Sequence, residues 1–195
     1  QAHMFPRPVS EVLGEALNNG FAVDGKKALC QYFTPPDVVE KMIWRANLHK
    51  YPVQRILEPS AGDGRILEGL RPWIGAAEIV AVEISLSLTD SMRDRFREGR
   101  AFQCCDFLQQ NGNLGKFDVI LMNPPFDSGL DVKHIRHAES MLAPGGRLVT
   151  LCANGPRQRE AFQDRAEYWE TLPEDSFKSE GTCVNVAMLV LEAPS

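Results

Sequence analysis

The sequence lacks several features that would assign it to a special class of protein. No apolar run approaches the roughly 20 residues that a membrane-spanning helix needs, and no charged-then-apolar leader opens the chain. Five cysteines are present, but none of them shows the CxxC or Cys/His spacing of a metal site. We therefore expect a cytoplasmic protein without membrane contact, bound metal or disulfide framework.

Positive charge is also scarce. Asp and Glu outnumber Lys and Arg by 26 to 21, so the net charge is −5 and the chain as a whole does not attract a polyanion. Contact with nucleic acid would depend on local basic groups. Three sets are candidates, although each is more often a solvated helix face: Lys26 and Lys27; Arg93, Arg95, Arg97 and Arg100; Arg157, Arg159 and Arg165.

Short apolar runs and amphipathic segments alternate along the chain, without an internal repeat or a Gly/Ser linker. Strands are predicted at 53–58, 78–84, 100–105, 117–122, 146–153 and 183–192. Helices are predicted between them, at 63–71, 86–98, 130–142 and 156–169. This alternation is typical of an α/β domain with a mostly parallel sheet and helices on both faces.

Both ends of the domain carry additional elements. A weak extended piece, 171–177, reaches the last strand through a short turn, so these two elements are expected to pair antiparallel. Before the first strand, Thr34 is placed to cap a helix over about 35–49, in which Pro35 suits the first helical position. A further helix is predicted at 8–19.

A glycine-containing loop, LEPSAGDG, follows the first predicted strand and opens a helix. Gly62 and Gly64 would let the backbone turn tightly and approach a ligand closely. A dinucleotide site is a rival interpretation, but the third glycine of GxGxxG falls on Leu67. Glu58 and Asp63 would repel a pyrophosphate and suit a cationic ligand. Taken alone, such a loop is equally compatible with a plain structural turn.

Acidic residues end the next two strands. Glu83 lies about 20 residues after the glycines, a position from which its carboxylate could accept hydrogen bonds from ribose hydroxyls. Asp106 could accept from an adenine amino group while Phe107 covers the base. Each acid has a simpler alternative, a helix-start carboxylate for Glu83 and a cap for Asp106. Their joint placement at the carboxyl ends of strands favours one shared site.

The fourth strand ends in Asn123-Pro124-Pro125-Phe126. Two consecutive prolines hold φ near −65° and remove two backbone donors, so the chain after Asn123 is stiff, extended and outside the sheet ladder. Such a segment is either an ordinary strand exit or a rigid support for a polar group.

With these motifs in this order, the chain resembles the class I S-adenosylmethionine-dependent methyltransferases. Residues 123–126 match the amino-methyltransferase signature (Asp or Asn)-Pro-Pro-(Tyr, Phe or Trp). The segment QYFTPP at 31–36 is similar to N6-adenine DNA methyltransferases of the gamma arrangement, in which the cofactor motifs precede the catalytic one. The resemblance covers 30–192. It implies a Rossmann-like seven-stranded sheet with an antiparallel C-terminal hairpin, S-adenosyl-L-methionine as cofactor and adenine N6 in DNA as acceptor.

The resemblance also implies roles for individual residues. The Asn123 side-chain oxygen and the Pro124 carbonyl would accept the two hydrogens of a conjugated amine, while Pro125 stiffens the turn and Phe126 stacks on the flat target. Phe177 either packs on a flipped base or is a core aromatic. Cofactor contacts are expected from five segments of the chain: Tyr32, Thr34, Glu58, Ser60, Ala61, Gly62, Asp63, Gly64, Glu83, Ile84, Asp106, Phe107 and Asn123.

Two histidines, His134 and His137, lie three residues apart on the helix predicted after this turn. A metal site needs further ligands, so a surface or packing role is favoured for both.

We expect the protein to depart from that family in having no separate target-recognition domain after the last strand. We expect 1–34 to be a tag remnant and helical extension, and 35–195 a single methyltransferase domain. Specificity would be loose, supplied by a separate subunit or dimer partner, or carried by loops 126–131 and 154–166. Three hypotheses remain: adenine N6 methylation of DNA, the same chemistry on RNA adenine or a protein glutamine amide, and a catalytically silent cofactor-binding scaffold.

Overall fold

A computed structural model of the protein describes residues 33–49, 52–73, 75–97, 100–110, 112–181 and 184–195. The predicted helix at 8–19 lies outside the described residues, as do Lys26, Lys27 and Tyr32 and two of the five cysteines, Cys30 and Cys183. The predicted division at residue 34 stays a prediction.

A mixed sheet of seven strands forms the centre of the described fold, in the order β3-β2-β1-β4-β5-β7-β6. The strands are β1 Arg55–Glu58, β2 Glu78–Glu83, β3 Arg100–Cys104, β4 Phe117–Met122, β5 Leu142–Ala153, β6 Tyr168–Thr171 and β7 Val186–Glu192. Strands β1 to β5 pair in parallel, whereas β7 is antiparallel to both β5 and β6. The predicted parallel sheet with an antiparallel C-terminal hairpin is confirmed.

Five α-helices connect or precede these strands in the described residues: α1 Pro36–Ala46, α2 Arg65–Gly69, α3 Leu86–Arg95, α4 Leu130–Glu139 and α5 Pro156–Phe162. Successive residues of a strand point to opposite faces of the sheet. Accordingly, Ile56 of β1 belongs to one hydrophobic cluster together with Met42 of α1, whereas Leu57 belongs to a second cluster together with Ile135 of α4. Helices therefore cover both faces of the sheet, as predicted.

The start of α1 differs from the prediction. Pro36, not Pro35, is the first helical residue, and Pro35 occupies the cap position with extended backbone angles (φ −60°, ψ 150°). A residue that precedes proline is disfavoured in the helical region, so Pro35 cannot join the helix. Thr34 consequently lies one residue outside the cap, and its side chain is available for another contact.

The segment before β6 was also predicted incorrectly. The helix predicted to run to 169 ends at Phe162, and the strand lies at Tyr168–Thr171 instead of 171–177. The amide of Glu167 donates to the Val190 carbonyl, so the backbone from this point finds its partners in β7. Tertiary pairing of an aromatic, strand-favouring segment thus overrides its helical pattern.

None of the described helices is both long enough and apolar enough to cross a bilayer.

Candidate active site

A cavity of about 270 Å³ lies where the carboxyl ends of β1, β2, β3 and β4 meet. In an open α/β sheet this edge is the usual ligand site. Most of the described residues predicted for the cofactor or for catalysis line it: Thr34, Glu58, Ser60, Ala61, Gly62, Asp63, Glu83, Ile84, Asp106, Phe107, Asn123, Pro124 and Pro125. Gly64, Phe126 and Phe177 are not part of its lining.

The glycine loop between β1 and α2 needs its glycines for conformation and for space. Gly62 has φ +56° and Gly64 φ +84°, angles that side-chain-bearing residues rarely adopt. A Cβ on Gly64 would lie 3.0 Å from Cε2 of Phe96 and 3.1 Å from Cγ of Met92. Gly64 therefore acts behind the cavity wall, where it lets the loop pack closely against α3.

Glu83 connects the glycine loop to the start of α3. Its two carboxylate oxygens accept hydrogen bonds from the amides of Gly62 and Ser85, each at 2.8 Å, and its side chain is buried. Glu83 therefore does act as a carboxylate at a helix start, which was the simpler alternative for it. A carboxylate offers about four acceptor positions, so capacity for ribose hydroxyls remains.

Glu58 is a buried acid with unused bonding capacity. The residue is 1% exposed, and Oε2 has no hydrogen-bond partner among the described residues. Burial, followed by the nearby Glu83 and Asp63, raises the pKa of the Glu58 carboxyl well above its ordinary value. A cationic group placed in the cavity would reverse this effect, because it stabilises the ionised form. The residue therefore fits a positively charged ligand.

Acidic groups dominate the cavity wall. Asp106 and Asp127 add to the three acids already described, whereas the lining contributes one arginine, Arg65. The Arg65 guanidinium is already bound to Asp63 at 2.9 Å and to Glu180 at 2.8 Å. A cation is thus favoured over a phosphate. Among the described residues, no group of three or more His, Cys, Asp or Glu side chains could hold a metal ion.

Asp106 caps a short helix and also lines the cavity. The Asp106 carboxylate accepts from the Leu108 amide at 3.0 Å and so caps the short 3-10 helix Phe107–Gln109. Asp106 and Phe107 also line the cavity. The cap holds the acid in place beside the Phe107 ring.

His134 is a lining residue that the sequence reasoning missed, because it was assigned to surface or packing. It is 8% exposed and lies four residues after Leu130, which also lines the cavity. Residues at i and i+4 share one helix face. That spacing, on a helix that starts directly beyond the β4 turn, was the signal available in the sequence.

The β4 turn is joined to the segment before α1. The Asn123 side chain donates from Nδ2 to Oγ1 of Thr34 at 3.1 Å. This contact directs the nitrogen end of the amide to Thr34 and so sets the orientation of the Asn123 side chain. Pro124 and Pro125 continue the cavity wall.

The two predicted substrate aromatics occupy different environments. Phe126 is partly buried and packs against the edge of the first hydrophobic cluster. Phe177 is 1% exposed and belongs to that cluster itself. This placement agrees with the core alternative for Phe177, since a buried ring has no free face for a base.

Comparison with known proteins identifies the family. The family described as "Methyltransferase small domain" matches residues 43–176, which contain the glycine loop and the NPPF turn. The chain belongs to this family. This methyltransferase is 35% identical over 113 residues to ribosomal RNA small subunit methyltransferase C of Chromohalobacter salexigens, a match covering 52% of the chain and 32% of that relative. The chain thus spans about a third of that relative's length.

Solved structures show the same fold. TrmN from Thermus thermophilus aligns with a TM-score of 0.68 at 20% identity, covering 99% of this chain and 69% of that one. N-methyltransferase NodS from Bradyrhizobium japonicum, in complex with S-adenosyl-L-homocysteine, aligns with a TM-score of 0.63 at 16% identity, covering 93% and 98%. Together with the family match, this fold makes S-adenosyl-L-methionine the cofactor of the methyltransferase.

Proposed function

We propose that this methyltransferase transfers a methyl group to the N6 amine of adenine in DNA. The observation that carries the proposal is the Asn123 side chain at the cavity wall, where the hydrogen bond from its amide nitrogen to Thr34 fixes its orientation. The alternatives for this turn were a strand exit and a rigid support. The contact with Thr34 favours the rigid support.

Two oxygen acceptors are what a conjugated amine requires from the protein. Its lone pair is delocalised into the ring, so it is a poor nucleophile. The Asn123 side-chain oxygen and the Pro124 carbonyl would accept its two hydrogens and draw the nitrogen towards tetrahedral geometry. Pro124 and Pro125 have fixed φ angles, so these acceptors need little reorganisation during the reaction.

The cofactor would be held by the acidic wall of the cavity. Glu58 would face a positive group of the cofactor, Glu83 would accept from its ribose hydroxyls, and Asp106 would accept from its adenine amine. Ser60, Ala61, Gly62 and Ile84 supply close backbone and apolar contact. When bound, S-adenosyl-L-methionine supplies an electrophilic methyl group on a sulfonium.

A strong general base is not needed for this chemistry, because the methylated nitrogen becomes acidic and can release a proton later. The described cavity wall contains no lysine, and burial lowers the pKa of its one histidine, His134, to about 4, so that ring is a weak base.

The choice of adenine in DNA comes from two features. The QYFTPP segment is similar to that of adenine DNA methyltransferases, and Phe126 follows the acceptors directly, where its ring could stack on a flat base. A base in a duplex would have to be flipped, at a cost of a few kcal/mol, so single-stranded or loosely paired DNA is the preferred substrate. A separate specificity subunit or dimer partner would supply sequence recognition in the cytoplasm.

RNA is the second candidate substrate. The relative that is 35% identical is named a ribosomal RNA methyltransferase, and the matched segment covers 52% of this chain. The acceptors at Asn123 and Pro124 suit a nucleobase amine in either polymer, because they contact the base and not the sugar.

The proposal is tested by methyl transfer from tritium-labelled cofactor to single-stranded DNA, duplex DNA, RNA and cell protein, followed by nuclease digestion and mass spectrometry. We expect N6-methyladenine in DNA, with the rate reduced on the order of 100-fold in Asn123→Ala. Asn113→Ala, on an exposed loop, is the matched control and should keep full activity.

Three outcomes would overturn the proposal. Label in RNA alone would establish the second candidate, and label in protein alone would indicate a glutamine amide. If nothing is labelled although calorimetry shows cofactor binding, the chain is a cofactor-binding scaffold.

A further inference from the structure

His134 projects from α4 into the wall of the cofactor cavity, yet the function proposed above gives it no task. Its ring lies beside that of Phe107, with the two ring centroids 5.8 Å apart. The ring of His137 also lies beside Phe107, at a centroid distance of 4.7 Å. Of these two histidines, His134 lines the cavity, whereas His137 lies outside its lining. His134 can therefore contact a ligand in the cavity, whereas His137 cannot.

The hydrogen-bonding capacity of His134 is not used within the described protein. Nδ1 is buried and has no hydrogen-bond partner there, and the residue as a whole is more than nine-tenths buried. Burial lowers the pKa of His134 to about 4, against smaller opposing effects such as that of Asp106. The ring is therefore neutral at pH 7 and has one N–H donor and one lone pair. Because Nδ1 is shielded from solvent, Nε2 is the ring nitrogen that a ligand in the cavity can reach.

Asp106 supplies the complementary half of a recognition pair. One of its oxygens accepts from the Leu108 amide at 3.0 Å, and the other has no donor among the described residues. A carboxylate can only accept, whereas a neutral imidazole can donate. An adenine base presents an amine donor next to ring-nitrogen acceptors, which is the matching arrangement.

We propose that His134 recognises the purine base of the cofactor by donating a hydrogen bond to a ring nitrogen, beside the amine from which Asp106 accepts. The inference rests on the placement of the cofactor's adenine at Asp106 given under Proposed function. It makes His134 a specificity residue for the cofactor, because N1, the ring nitrogen next to the amine, is an acceptor in adenine but carries a hydrogen in a 6-oxo purine.

Isothermal titration of the cofactor-free protein with S-adenosyl-L-homocysteine tests this directly. His134→Phe keeps a flat ring but removes both nitrogens, and we expect affinity to fall on the order of tenfold. His137→Phe is the matched control on the other side of Phe107, and its affinity should stay within about twofold of wild type. S-inosyl-L-homocysteine should bind wild type on the order of tenfold more weakly than the adenine compound, and His134→Phe should reduce that difference.

A second measurement uses the unaltered side chain, so it does not depend on a variant folding. In protein labelled with 15N-histidine, saturation with S-adenosyl-L-homocysteine should shift the nitrogen resonances of His134. The chain has four histidines, so these resonances are assigned as the ones that persist when His3, His49 and His137 are replaced in turn. The proposal is overturned if those resonances do not move, or if folded His134→Phe binds the ligand as tightly as wild type. Neither readout involves a methyl acceptor, so failure to methylate nucleic acid would not imitate either result.

Discussion

Thr34 and Asn123 are 89 residues apart in the sequence and are joined by a 3.1 Å hydrogen bond from the Asn123 amide nitrogen to the Thr34 hydroxyl. Thr34 is buried, and it precedes the two prolines that start α1. The FTPP and NPPF segments therefore form one unit, in which the first segment sets the orientation of the side chain provided by the second.

Replacement of Thr34 by valine should reduce turnover more than binding. Thr34→Val keeps the shape of the side chain but removes the acceptor, so the Asn123 amide loses its fixed orientation. We expect kcat to fall about tenfold or more, with a smaller change in the Kd for S-adenosyl-L-homocysteine. Thr34→Ser keeps the hydroxyl and should retain most activity. If the valine variant kept wild-type kcat, Thr34 would not position Asn123.

Replacement of Glu58 by glutamine should change the pH dependence of stability. In the folded protein the pKa of Glu58 lies well above its ordinary value of 4.5. The protonated carboxyl therefore contributes fully to stability below pH 4.5, and this contribution is lost as pH rises through the pKa of the folded protein. Glu58→Gln cannot ionise. Relative to wild type, the cofactor-free variant should therefore gain thermal stability progressively as pH rises above 4.5.

The same Glu58→Gln variant should bind S-adenosyl-L-methionine on the order of tenfold more weakly, because it cannot provide a negative charge to a cationic group. Glu160→Gln, on the exposed surface of α5, controls for the loss of one acid elsewhere. Parallel pH profiles of melting temperature for wild type and Glu58→Gln would contradict the assignment of Glu58 as a buried acid.

Substitution of two glycines with nearly equal φ angles distinguishes the cost of backbone strain from the cost of overpacking. Gly64 has φ +84° and little free space, whereas Gly75 has φ +85° and no atom within 4 Å of an added Cβ. Gly75→Ala should lower the free energy of unfolding by about 1 kcal/mol, from backbone strain. Gly64→Ala should lower it by about 2–4 kcal/mol, since overpacking against Met92 and Phe96 is added. Urea denaturation of both variants measures the difference.

Phe126 and Phe177 should respond differently to truncation. Phe177→Ala removes a ring from the core and should lower the free energy of unfolding by about 3–5 kcal/mol. Phe126→Ala should affect stability less and should raise KM for the nucleic-acid substrate, while Phe126→Tyr keeps a stacking ring and should remain close to wild type. A raised KM for a folded Phe177→Leu variant, with normal stability, would instead assign Phe177 to the substrate.

Local chemistry accounts for the parts of the fold that the sequence predicted well. The prediction for β4 matches its observed bounds, because FDVILM is a continuous apolar run that ends at two prolines. Errors occurred where tertiary contacts compete with a local pattern. The segment after Phe162 keeps a helical periodicity, but its backbone pairs with β7, which arrives about 20 residues later in the chain.

The sequence likewise predicted part of the candidate site. Glu58, Glu83, Asp106 and Asn123 line the cavity because each lies at the carboxyl end of a parallel strand, and such ends meet at one edge of the sheet. His134 was missed because its role depends on which face of α4 is turned to the cavity. Phe177 was left undecided, since burial of a ring is a property of its neighbours and not of its own segment.

The residue order of this protein determined a doubly covered parallel sheet, a glycine turn and a stiff Asn-Pro-Pro exit, because short-range sterics and hydrophobic periodicity act within a few residues. Which side chains face one another was decided only by the folded chain. Thr34 reaches Asn123, Glu83 holds Gly62, and His134 stands beside Phe107 because helices and strands distant in sequence pack on the same sheet edge.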